Sequence, residues 1–106
     1  MFLKLSKSIQ TLNEVAVGDR DADLILENCS LFNVYSREIL PETQIAISQD
    51  RIAYVGKDAS HTKGKKTVTI NLEKKYVTPG FADPHIHLDQ FVLPIEFVKK
   101  SLLCGV

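Results

Sequence analysis

The sequence predicts a mainly β fold with flanking helices, and three observations carry that expectation. From Ala22 onward the apolar residues fall into short segments separated by turn-forming residues, the pattern of closely spaced strands. Ahead of that point, residues 5–17 place Leu5, Ile9, Leu12 and Ala16 on one helical stripe. Near the other end, Pro94 suits the first turn of a helix whose stripe is Ile95, Val98 and Leu102.

The first helix has Ser6 or Ser8 as candidate caps and Gly18 as its stop, since glycine takes the left-handed conformation that ends helices. Its expected role is packing. The strand segments follow: 24–26, 31–34, 45–47 and 52–55, with Ile39 and Leu40 before Pro41 as an edge segment. Between them stand Glu27 and Asn28, then Ser36 to Glu38, then Gln49 to Arg51, then Gly56. Such spacing predicts an antiparallel sheet or half of a sandwich. Residues 57–66 read as a polar loop, in which His61 stands among Lys63, Lys65 and Lys66 as a solvated histidine in a setting that disfavours cations. Thr67 to Leu72 alternate as one more strand. In the last helix, Ile95, Val98 and Leu102 are the expected buried stripe, with Lys99 and Lys100 outward and Gly105 as a stop. The resulting division is 1–18 as an N-terminal helix, 19–75 as a small β domain and 76–106 as one strand followed by one helix.

Bulk composition narrows the function. Lys and Arg together number 13, as do Asp and Glu, and the net charge of zero gives no electrostatic reason to expect a nucleic-acid partner. Hydrophobic residues make up 44%, ordinary for a globular chain, and no apolar run reaches the length of a membrane span. The first residues lack the apolar core and small-residue cleavage site of a signal peptide, so a cytoplasmic setting is expected. Cys29 and Cys104 match no metal or redox spacing and read as two buried free thiols in a reducing compartment.

The chemistry concentrates between Tyr76 and Gln90. If Phe81 to His87 is extended, His85 and His87 project from one face and Ile86 from the other. Two imidazoles converging from one strand end can chelate a metal, and Asp89 can add a carboxylate. Pro79 and Gly80 set a bend ahead of them. An isolated His-x-His pair is a weak signal, since two surface histidines on a strand give the same pattern.

The wider run from Pro79 to Asp89, Pro-Gly-Phe-x-Asp-x-His-x-His-Leu-Asp, is far more specific. It resembles the first barrel strand of the amidohydrolase superfamily, metal-dependent hydrolases built on a (β/α)8 barrel. Asp83 also matches that pattern, while Pro84 has no N–H to give a central strand. The segments 22–28, 31–34 and 50–56 are similar to the small β-domain of these enzymes. Residues 15–20 and the run from Leu93 to Lys100 before Gly105 resemble adenine deaminases in particular.

That resemblance implies part of a small β-sandwich domain plus the first strand and helix of a barrel. A whole barrel takes about 250 residues, so the chain reads as the N-terminal piece of a larger enzyme. The implied reaction is hydrolysis of adenine to hypoxanthine and ammonia, with a nucleobase as small-molecule substrate and a homo-oligomer as the working form. His85 and His87 would be metal ligands, and Asp89 stands where the family carries glutamate. The implied cofactor is a divalent metal, manganese or iron, and zinc also suits imidazole and carboxylate donors. The remaining ligands and the proton-transfer carboxylate would come from later strands, so no catalytic residue is expected among residues 1–106 and the chain alone should be inactive. Two alternatives stand beside this one. The motif also resembles those of cytosine deaminases and dihydroorotases, and a non-catalytic β-domain serving as an interaction module would share the strand pattern.

Overall fold

The computed structural model describes residues 5–82, 84–85 and 94–103. Helix α1 spans Leu5–Val17. It ends as Gly18 predicts, with φ of +89° and paired closing bonds. Gly18 N–H donates to Val15 O at 3.1 Å, and Asp19 N–H donates to Glu14 O at 2.8 Å. These satisfy two of the carbonyls a helix end leaves open. The buried face differs from the expected stripe. Val15 is fully buried and Ser8, two turns earlier, lies on the same line, whereas Ile9 is 51% exposed. Both serines expected as caps lie inside the helix.

Strand β1 (Leu24–Asn33), β2 (Glu38–Ser48) and β3 (Arg51–Gly56) form an antiparallel meander. The first two correct the expected segmentation. Glu27 and Asn28 do not end a strand; they form a bulge within β1, with Asn28 at φ of +55°. Asparagine tolerates that left-handed conformation at little cost. Pro41 and Glu42 do the same within β2, between the pairs Leu31↔Leu40 and Cys29↔Thr43. A proline has no N–H for a ladder, so a bulge is where it costs least. The first turn falls at 34–37, ahead of the expected 36–38, so Val34 leaves the strand and Glu38 opens β2. The second, at Gln49–Asp50, falls within the expected 49–51, and Arg37 and Gln49 are both at positive φ.

The sheet is mixed, not purely antiparallel. Strands β4 (Val68–Asn71) and β5 (Tyr76–Val77) both run parallel to β1, β4 along its first half and β5 along its second. The order is β3-β2-β1-β4, with β5 also on β1. The cause is the crossover at 57–67, which carries the chain back over the face that α1 packs on, so β4 enters in the direction of β1. That crossover is structured, in contrast to the expected polar loop. Its 3-10 turn, Ser60–Thr62, is flanked by the fully buried Ala59 and includes the fully buried Thr62. Ala59 N–H donates to Gln44 Oε1 at 2.7 Å, and Ala22 N–H donates to Thr62 O at 2.8 Å.

The core lies between α1, the crossover and one face of the sheet: Val15, Ala22, Ile25, Ala46 and Ala59, with Ala53 and Tyr54 packed on it. Three alanines let the helix and crossover approach the sheet closely. The opposite face is also apolar. Registers place Val55, Ile45, Leu26 and Ile70 in one cross-strand row, and Ile52, Ile47, Leu24 and Val68 in the next. Ile52, Val68, Ile70 and Val55 are exposed there. An amphipathic sheet would carry polar residues on its solvent face.

Helix α2 spans Pro94–Leu103, as expected from its stripe, but Ile95, Val98 and Leu102 are exposed and not buried. Among the described residues no helix is long and apolar enough to cross a membrane.

Candidate functional site

The histidine motif enters from β5. Tyr76 and Val77 pair with Ser30 and Leu31 of β1, and Ser30 N–H donates to Lys75 O at 3.0 Å. The 72–75 turn ahead of β5 fits against the β1 bulge. Leu72 N–H donates to Glu27 O at 2.9 Å and Lys74 N–H to Asn28 O at 2.8 Å. Asn28 Nδ2 also donates to Asn71 Oδ1 at 3.3 Å. The bulge thus uses its own backbone groups to hold the turn that starts the motif, a link between a left-handed Asn28 and the position of β5.

Beyond Val77 the chain leaves the sheet. Thr78 to Ala82 run along an apolar groove of about 390 Å³ whose other wall is Phe32 and Val34. The expected strand over Phe81 to His87 is not formed at its described positions: 81 and 82 are irregular, and Pro84 and His85 form a bend. Extended backbone becomes a strand only when a neighbour pairs with it, and β1 reaches only two residues past its last pair with β5. Phe32 and Val34 had no functional reading in the sequence; two residues apart on either side of the polar Asn33, they share one strand parity, and that spacing is the signal that groups them on one face.

Of the expected metal ligands, His85 is exposed at that bend, and His87 and Asp89 lie outside the described residues, as does Asp83. Among the described residues no three of His, Cys, Asp or Glu come together as a metal-binding group. An imidazole has the right donor chemistry, and one alone makes no site.

His61 is corrected in role. It is exposed, yet its ring is held on two sides: Nε2 donates to Ala16 O at 3.0 Å, and the ring meets Tyr54 edge-on with centroids 4.6 Å apart. Since a carbonyl only accepts, Nε2 carries the proton in this contact. Close by, the Asp58 carboxyl is pulled below its ordinary value, chiefly because Ser60 N–H donates to it at 2.8 Å, then through the Ser60 hydroxyl and the charge of His61. This cluster fastens the crossover to α1. Its chemistry is structural.

Cys29 is a buried free thiol, as expected, and Cys104 lies outside the described residues. Burial pushes the Cys29 thiol up, and Sγ donates to Thr43 O at 3.2 Å. A thiol so placed stays protonated and unreactive.

No family model matches the chain. A protein named adenine deaminase from Cenarchaeum symbiosum is 58% identical over 101 residues, covering 95% of this chain and 17% of that protein. Another so named, from Ruegeria pomeroyi, is 45% identical over 92 residues, 86% of this chain and 15% of its own length. A third, from Clostridium botulinum, is 40% identical over 94 residues, 89% of this chain and 16% of its own length. The chain therefore spans about a sixth of the relatives it matches, consistent with an N-terminal segment. A crystal structure of a Bacillus thuringiensis protein is 31% identical with a TM-score of 0.48, covering 68% of this chain and 97% of that one.

Proposed function

Starting from a chain that is adenine deaminase-like over nearly all its length, we propose that it is the N-terminal segment of an enzyme that hydrolyses adenine to hypoxanthine and ammonia. The observation that carries this reading is the 58% identity over 101 residues to a protein of that name. Residues 19–75 then belong to a small β-sandwich domain, and 76–106 to the first strand and helix of an amidohydrolase barrel. The open apolar face of the sheet supports the sandwich. Two rows of four apolar side chains each, on four adjacent strands, are what a second sheet packs against at about 10 Å.

In this reading His85 and His87 hold a divalent metal through their ring nitrogens, with Asp89 as a third donor. Manganese or iron is the favoured ion, and zinc suits the same donors. Bound, such an ion lowers the pKa of water so that a nucleophile exists near neutral pH. The anchoring of β5 on β1 fixes where the ligand-bearing segment starts. Further ligands and the proton-transfer carboxylate come from elsewhere in the polypeptide, so residues 1–106 alone are inactive. The whole protein works in the cytoplasm as a homo-oligomer on a free nucleobase.

The test is to express the full reading frame and assay ammonia release from adenine with added manganese. Release of ammonia together with hypoxanthine is the expected result. A full-length product that ignores adenine but hydrolyses cytosine or a cyclic amide would overturn the substrate and keep the superfamily. A product with neither metal nor hydrolytic activity would overturn the enzyme reading.

A further inference from the structure

We draw no further inference here: the strongest candidate, the open apolar sheet face around Leu24, Leu26, Ile47, Ile52, Val68 and Ile70, belongs to the sandwich reading already proposed, and nothing in the structure shows any other partner that covers it.

Discussion

His61 closes the end of α1: its Nε2 donates to the Ala16 carbonyl at 3.0 Å, 45 residues away in sequence. The Ala16 carbonyl belongs to the last turn, where no intrahelical donor remains. The same backbone lies close to Gly18, where an added Cβ would meet His61 O at 2.9 Å. Helix end, glycine and crossover are thus one joint.

Breaking that joint should cost stability. His61→Ala removes one hydrogen bond and the Tyr54 contact, an expected loss of about 1 kcal/mol. Gly18→Ala forces a side chain into a left-handed conformation and against His61, and should cost about 1–2 kcal/mol. Urea unfolding of the two variants and of the double variant checks this. The double variant should lose less than the sum, because the shift that a Gly18 side chain forces on the His61 backbone already weakens the ring's bond to Ala16. Full additivity would show the two residues to be independent.

Acid stability should depend on Asp58. Its carboxyl is held below the ordinary 3.8 in the folded chain, so the ionised form is favoured by folding. The sign follows: the contribution is present above the unfolded value and is lost as pH falls through the folded one. Asp58→Asn should therefore lower stability between about pH 6 and 8, where the contribution is fully present, and converge with the unsubstituted chain below about pH 4, which flattens the acid limb. Chemical denaturation at stepped pH reads this out, and an unchanged acid limb would refute it.

Cys29 should resist alkylation. Its raised thiol pKa means the neutral form is favoured by folding, a contribution held below the ordinary 9.0 and lost as pH rises through the folded value. Iodoacetamide at pH 8 should leave Cys29 unmodified in folded protein and label it in denaturant, as read by peptide mass. Labelling at equal rates in both would show the site to be open.

The places where sequence and structure part company share one cause. The bounds of α1 and its stop at Gly18 were legible, because helix period and glycine chemistry are local. Asn28 and Pro41 were misread as strand breaks because turn and bulge use the same residues, and only the partner strand decides between them. The partner of His61 is a helix end that no spacing rule connects to it. The stripe on α1 rotated from Ile9 to Val15 because the docking face depends on where Ala46 and Ala59 leave room. At the candidate site, the histidine pattern was legible as composition, whereas its strand depends on neighbours.

The two faces of the sheet should respond differently to truncation. Ile25 is buried under α1, and Ile25→Ala should cost about 2–5 kcal/mol in any form of the protein. Ile70, across the sheet, is exposed, so Ile70→Thr should change the stability of the 106-residue chain by less than about 0.5 kcal/mol. In the full-length protein the same change should cost about 1–3 kcal/mol if a second sheet covers that face. Equal, small effects of Ile70→Thr in both forms would remove the sandwich from the proposal.

Metal content gives the most direct test of the histidine motif. A site with an open position needs about three protein ligands, so the loss of one imidazole removes about a third of the protein donors. His85→Ala and His87→Ala in the full-length protein should each lower bound metal at least tenfold, measured by elemental analysis after dialysis, and abolish ammonia release from adenine. Asp89→Asn keeps the shape but removes the charge, so it should reduce metal occupancy less than either histidine variant. Lys99→Ala, on the exposed α2, serves as the control and should leave metal content unchanged. Full metal occupancy in both histidine variants would show that these imidazoles are not ligands, whatever the enzyme's substrate.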